Sequence, residues 1–240
     1  MSDQRLPGGK LEILYLEAFC RSGATGREWR QTTLPHKTTL VQAAPRHLEF
    51  RTHVEPSVNV SHRIDANNDS LDLFFELTNT GEAPLDLQWF EPACIRVAEF
   101  TGCDQASYIK RSFIFTQSGL TTLNELRRTT NALYLGGQVY LPAGVLKADA
   151  NPRPVCLDQP TNGLIGCFSQ DNQWLLATAS DRTHELFEGV YVCLHSDPRV
   201  SGLKAGETKK VRSKIYFLRN DIPALLRQYK IDFPATEQTL

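Results

Sequence analysis

A chain of 240 residues with 41% hydrophobic and 22% charged side chains has the composition of a soluble globular protein with a sizeable core. Its 26 basic and 27 acidic residues leave a net charge of −1, which excludes the basic field that a nucleic-acid partner or an anionic membrane would need. No apolar run reaches the ~20 residues of a membrane span, and the polar start from Met1 to Gly9 lacks a signal-peptide core, so the expectation is a cytoplasmic protein with no membrane partner.

Period-two alternation runs along most of the chain. Leu11–Ala18 reads as a first strand. In Leu48–Val54, Leu48, Phe50 and Val54 share one face, with Glu49, Arg51 and His53 on the other. In Ser57–Ile64, Val58, Val60, His62 and Ile64 face together, so His62 reads as a core residue or as part of a cleft lined by that face. Leu71, Leu73, Phe75 and Leu77 repeat the pattern. Asn79-Thr80-Gly81-Glu82-Ala83-Pro84 is turn chemistry and Leu85–Phe90 resumes as a strand, which predicts a hairpin over 71–90.

Further strands are expected at Ile95–Phe100, Tyr108–Thr116, Leu133–Leu141, Gly163–Phe168, Trp174–Ala179, Val190–Ser196 and Lys210–Leu218. The stretch Thr183–Leu218 sets ionisable groups on two strands and ends in a Gly-containing turn before the last one. Helices are expected only at Thr122–Thr130 and at Ile222–Tyr229, the latter with Asp221 as N-cap and Pro223 in its first turn. About a dozen strands with turn signals every ~8–12 residues predict an all-β, antiparallel two-sheet sandwich with few short helices. Residues 1–240 are read as a single domain. Leu141–Pro160 interrupts the rhythm with Pro142, Gly144, Pro152, Pro154 and Pro160. It reads as a long ordered loop packed across one rim, with Val155-Cys156-Leu157 as its apolar anchor.

The six cysteines, Cys20, Cys94, Cys103, Cys156, Cys167 and Cys193, contain no CxxC pair and read as small buried hydrophobes in a reducing compartment. Asn59-Val60-Ser61 and Asn68-Asp69-Ser70 fit the glycosylation pattern, to which a cytoplasmic protein gives no role.

Three groups of residues carry candidate chemistry. Tyr191, Cys193, His195 and Asp197 alternate onto one face of a strand, with Val190, Val192 and Leu194 on the other. A histidine and a carboxylate two residues apart tune each other's pKa, which suits general acid–base chemistry; the competing reading is a strand end reaching solvent. Asp181, His184, Glu185 and Glu188 precede that strand. Their spacing is not a helical HExxH, so a metal is not expected and Glu185 is taken as an acid or base, against a solvated loop. Trp89 with Glu91, Arg96 and Arg111 supplies a flat ring and charges of the kind that hold a sugar, unless Trp89 is core. No GxGxxG after a strand, P-loop, GxSxG, zinc-finger or kinase signature occurs, and no cofactor is expected.

The segments Trp89-Phe90-Glu91-Pro92-Ala93-Cys94-Ile95-Arg96-Val97, Phe113-Ile114-Phe115, Gly119-Leu120-Thr121-Thr122-Leu123, Gly137-Gln138-Val139-Tyr140, Asn151-Pro152-Arg153-Pro154, Asn162-Gly163-Leu164-Ile165-Gly166-Cys167-Phe168 and Cys193-Leu194-His195-Ser196-Asp197 resemble an uncharacterised family of bacterial proteins. More loosely, the strand-rich plan and the turn Leu203-Lys204-Ala205-Gly206-Glu207-Thr208 before a final strand resemble the galactose-mutarotase-like supersandwich. That resemblance implies a carbohydrate ligand. The expected site is a cleft on the concave sheet face, with Glu185, His195 and Asp197 as its acid–base set for epimerase, lyase or hydrolase chemistry and Trp89, Glu91, Arg111 and His62 as substrate-binding groups. The alternative is a non-catalytic sandwich that binds glycan or protein.

Overall fold

The computed structural model describes residues 7–234. Fourteen strands form two antiparallel sheets: β1 Glu12–Cys20, β2 His36–Ala44, β3 His47–Val54, β4 Val58–Ala66, β5 Ser70–Asn79, β6 Trp89–Arg96, β7 Ser112–Thr116, β8 Gly119–Thr122, β9 Gln138–Tyr140, β10 Ile165–Phe168, β11 Trp174–Ser180, β12 Thr183–Gly189, β13 Cys193–Pro198 and β14 Thr208–Arg219. Two one-turn α-helices, α1 Trp29–Thr32 and α2 Ala98–Thr101, a longer one, α3 Ile222–Asp232, and 3-10 turns at Ala24–Gly26, Tyr108–Lys110 and Lys147–Asp149 complete the described set. Strand makes up 47% and helix 12%, as the alternation predicts. Among the described residues no helix is long and apolar enough to cross a membrane.

One sheet has the order β1-β6-β13-β12-β9; the other has β2-β3-β4-β5-β14-β11-β10-β7-β8. Alternating apolar side chains from both inner faces make the core between them. Phe19, Phe90, Ile95, Leu186 and Leu194 from the five-stranded sheet meet Val60, Phe75, Leu176, Ile215 and Phe217 from the nine-stranded one. β4 shows the rule most plainly: Val58, Val60 and His62 are buried while Asn59, Ser61 and Arg63 are exposed. A second apolar cluster seats α3 on the far face of β11 and β14 through Leu225, Tyr229 and Phe233 against Ala177, Ala179 and Tyr216. Asp221 caps α3 by accepting from Ala224 N at 2.9 Å, and Pro lies in its first turn, as expected.

Four expectations need correction. The 71–90 hairpin does not form. β5 pairs with β4 and β14, while β6 begins at Trp89 and pairs in the other sheet with β1 and β13. The turn signal is genuine, but Asn79 uses it to cross between sheets: its side chain accepts from Gly81 N and donates to Ala83 O and Leu203 O. No helix forms at Thr122–Thr130. Glu125 caps one turn through Thr122, then Arg127 is drawn to Asp158 and Arg128 to Glu188. The strand expected at Ile95–Phe100 stops at Arg96, where α2 follows, and Leu133–Leu141 is a strand only at Gln138–Tyr140. β2 has no counterpart among the expectations. It is an edge strand whose Leu40 and Val41 are exposed, so no buried face imposes a legible pattern.

All six cysteines are free and five are buried, in line with their reading as small hydrophobes. The loop 141–160 lies over the outer face of the five-stranded sheet. Val155 bridges Val139 in parallel, and Val139, Leu141, Ala150, Val155 and Phe187 form a small apolar cluster beneath it. Of its expected anchor, Val155 and Cys156 are buried and Leu157 is exposed.

Candidate functional site

The outer face of the five-stranded sheet gathers the chemistry. On β13, Cys193, His195 and Asp197 point outward and Leu194 inward, so the expected alternation holds, except that Tyr191 lies in the preceding turn and is exposed. That turn, Gly189–Val192, also delays the start of the strand: Val192 takes φ 56° and its N donates to Gly189 O. On β12, Glu185 lies directly opposite Asp197, and Phe187 opposite His195. A register shift between Thr183 and Glu185 turns His184 outward as well, where its ring stacks on Trp89 at 5.2 Å.

β6 supplies Glu91 and Cys94. Pro92 between them cannot donate to the ladder, and β1 bulges opposite it: Tyr15 pairs with Ala93 and Ala18 with Glu91. The bulge places two residues, Leu16 and Glu17, against one. Leu16 has φ 58° and keeps its side chain in the core, while Glu17 joins Glu91 and His195, with their ligating atoms within 4.8 Å of one another.

Glu17 is exposed at the rim of the cluster, and the groups behind it are buried. Asp197 and Glu185 are 0% exposed, His195 2% and Glu91 4%. The lid is the 141–160 loop, where Asn151 N donates to Glu185 Oε2 at 3.0 Å and its side-chain amide reaches Glu91 Oε1 at 3.4 Å. Asp149 O accepts from Trp89 Nε1 at 3.0 Å and is hydrogen-bonded to His184 Nε2 at 3.1 Å. Beneath this lid, both oxygens of Asp197, Glu185 Oε1 and His195 Nδ1 have no hydrogen-bond partner among the described residues. Buried polar atoms are almost always paired, so four orphans in one cluster mark a functional candidate.

Electrostatics follows from burial and crowding. Burial pushes Glu91 up to about 7 and Glu185 up to about 8, and their mutual repulsion adds to the rise at Glu185. Burial also drives Asp197 well above the usual carboxylate range, helped by Glu91 and Glu185 and opposed by His195. His195 is pulled both ways. Burial opposes its charge, but the Cys94 hydrogen bond and the carboxylates of Asp197 and Glu91 prevail and raise it to about 10. The imidazole and the carboxyl groups therefore share protons near neutrality, and the imidazole keeps its charge where a neighbouring carboxylate is ionised. Such a set can give a proton at one point and take one at another.

Two donor sets share His195: Cys94, Cys193 and His195, and Glu17, Glu91 and His195. The first has the composition of a zinc site. However, the hydrogen bond with Cys193 and burial hold the Cys94 thiol well above its ordinary range, which favours thiol over the thiolate a metal binds.

The remaining expected residues lie elsewhere. Trp89 borders the cluster but is fully buried between His184 and Trp29, so its ring face is not open to a sugar. His62 lies in the core between Phe50 and Phe75, hydrogen-bonded to Tyr15 and Thr52, and is not brought to the cluster. Arg111 binds Ser169 O and the Asn172 side chain, also away from it. Asp181 pairs with Arg212, and Glu188 is buried against Arg128 and Tyr108 rather than solvated. Residues that sequence reasoning missed are Cys94, Glu17, Asn151 and Asp149. The Asn151-Pro152-Arg153-Pro154 run was a visible signal of a rigid segment, but nothing local tied it to Glu185.

No protein-family model matches the chain, and no curated protein matches it. Solved structures do resemble it. A protein from Synechocystis sp. PCC 6803 is 10% identical, with 87% of this chain and 78% of that chain covered, at a TM-score of 0.50. A galactose mutarotase-like protein from Lactobacillus casei ATCC 334 is also 10% identical, with 90% and 87% covered, at 0.48. An aldose epimerase homologue from C. elegans is 9% identical, with 89% and 83% covered, at 0.44. At this identity the Synechocystis likeness shows a shared fold, reaching across most of both chains.

Proposed function

We propose that this protein is carbohydrate-active and performs acid–base chemistry on a sugar held at the outer face of the five-stranded sheet. The observation that carries the reading is the convergence of Glu91, Glu185 and Asp197 on His195, with unpaired oxygens and a histidine nitrogen facing one another under a loop. In this reading His195, kept charged by its carboxylates, delivers a proton to a sugar oxygen. Glu185 or Glu91, whose raised pKa suits work near neutrality, removes one from another oxygen. Asp197 stabilises the imidazolium from 3.8 Å, and Asn151 fixes the two glutamates. Residues 149–153 move for a sugar to enter. Epimerase, lyase and hydrolase chemistry all use such a pair; the supersandwich resemblance of the sequence adds weight to a sugar as substrate.

The depth of burial favours a second reading, a non-catalytic sandwich that binds glycan or protein. Incubation with a panel of aldoses and oligosaccharides, followed by NMR of anomeric exchange and bond cleavage, separates them. Acceleration that falls ~10²–10⁴-fold in His195→Gln supports the enzyme. Saturable sugar binding with no turnover in any sugar of the panel supports the module.

A further inference from the structure

A second site lies beside the loop. A cleft of about 980 Å³ opens between the ends of the 141–160 loop, the β7–β8 hairpin and the strand ends of β12 and β13. Its charged lining is Arg127, Asp158, Arg182 and Arg199, with Thr183 and Tyr229 nearby. Arg127 and Asp158 neutralise each other at 2.7 Å. Arg182 and Arg199 have no hydrogen bond from their guanidinium groups and no carboxylate partner among the described residues, yet the backbone N of Arg199 donates to Arg182 O at 2.9 Å, so the two are adjacent. Burial and the charge of Arg182 both pull Arg199 below the usual arginine range. Lys209, outside the cleft lining and paired with Glu207 at 3.8 Å, also feels the charge of Arg182. Arg182 itself takes φ 46°, a backbone position where glycine would cost least. Two guanidinium groups without a carboxylate partner among the described residues therefore border one concave, polar space, Arg182 at the edge it shares with a neighbouring pocket, at a cost in like-charge repulsion and backbone strain.

We infer that this cleft binds an oxyanion, a carboxylate, sulfate or phosphate group, clamped between Arg182 and Arg199. Arginine's planar fork matches such groups in two-point contact, and an anion here removes the repulsion between the pair. Arg199 follows Asp197 by two residues, and Arg182 precedes Glu185 by three, so the backbone anchors of the clamp lie about 7–10 Å along the strands from the acid–base cluster. Where the proposed sugar chemistry holds, that is the reach of a substituent on the same ring or its neighbour, and the substrate is an acidic sugar. The anion site itself does not depend on that reading.

The test is calorimetric titration and thermal unfolding of the intact protein with inorganic sulfate, inorganic phosphate, D-glucuronate and D-glucose, against sodium chloride at equal ionic strength. Sulfate or phosphate should bind saturably and raise the melting temperature beyond chloride, and binding should weaken at least tenfold in Arg199→Gln and in Arg182→Gly. Arg182→Gly relieves the positive φ and keeps the fold, so a folding failure at Arg199 leaves the test intact. Glucuronate binding tighter than inorganic anions assigns the group to a sugar; equal binding assigns a free oxyanion. Anion effects no larger than chloride's, or unchanged in Arg182→Gly, overturn the site. Because binding is read directly, either result leaves the acid–base reading to stand or fall on turnover.

Discussion

Glu185 and Asp197 face each other directly across the β12–β13 ladder, and neither is exposed to solvent. Burial penalises the charge of each, and repulsion from neighbouring carboxylates, Glu91 at Glu185 and both glutamates at Asp197, adds to it, so the pair holds a proton well above the usual carboxylate pH. The folded value of Glu185, about 8, exceeds its ordinary 4.5. Between those values the fold binds a proton that the unfolded chain has released. The stabilising contribution is complete below pH 4.5 and is lost as pH rises through 8. Glu185→Gln retains an acceptor for Asn151 N and has no charge to bury. Its stability relative to wild type should rise between pH 5 and pH 9 by up to a few kcal/mol, on the order of one per unit of pKa shift, while acid–base activity is lost. Urea unfolding at pH 5, 7 and 9 measures this. A deficit of constant size at all three values would sink the assignment.

His195→Gln should show the same pH trend over a higher range. His195 is the cation shared by Glu91 and Asp197, and its folded value is raised to about 10. Its stabilisation is full below its ordinary 6.5 and disappears as pH rises through 10. Removing it deletes that contribution. Near pH 5 the cost should be at its largest, above the roughly 1 kcal/mol common for a point mutation. By pH 8 it should be smaller. Equal costs at pH 5 and pH 8 would show that His195 is neutral in the fold.

The parts of this arrangement that were legible were those written within one strand. The His195/Asp197 spacing placed both on one face of β13, and the apolar alternation of β4, β5 and β14 gave the sandwich. The rest depends on distant partners. Glu91 reached the cluster only because β6 left its expected hairpin for the other sheet, a choice made by Asn79 binding Leu203 O from far along the chain. Glu17 arrived through a bulge whose cause, Pro92, lies on the neighbouring strand. Trp89 looked like a sugar platform because its local pattern cannot show that His184 stacks on its ring, Trp29 packs against it and the whole side chain is buried. His62 sits on an apolar face as expected, but whether that face is core or cleft is decided by Tyr15 and Phe50, on other strands.

His62 gives a clean acid-stability test. Burial lowers it to about 4, so the fold keeps it neutral while the unfolded chain takes a proton below 6.5. Stability is full above pH 6.5 and is lost as pH falls toward 4. His62→Gln has nothing to titrate and can still bond Tyr15 or Thr52. It should be less stable than wild type at pH 7, through lost stacking on Phe50 and Phe75, and should close part of that gap at pH 4.5. His184, lowered to about 3 by burial, adds to the same slope, so His62→Gln/His184→Gln should be flatter still. A gap that widens on acidification would mean that His62 is charged in the fold.

The 141–160 loop should resist proteolysis where it touches the site and yield where it does not. Leu146 is 69% exposed and follows Gly144, at φ 80°, so the first cut is expected within 143–147. From Asp149 to Cys156 the backbone is tied down: Asp149 O accepts from Trp89, Asn151 N donates to Glu185, and Cys156 N donates to Val139 O. Trp89→Phe keeps most of the ring's bulk and deletes one of these bonds. A hydrogen bond is worth about 1 kcal/mol, so the open population of the loop, and with it cleavage within 149–156, should rise roughly fivefold if opening is fast relative to cutting. Mass spectrometry of limited digests reads the cut sites, and a parallel urea melt separates local opening from global loss of stability. Rapid cutting within 149–156 in the wild-type protein would show that the lid over Glu185 is not closed in solution, and that the burial of the acid–base cluster does not persist there.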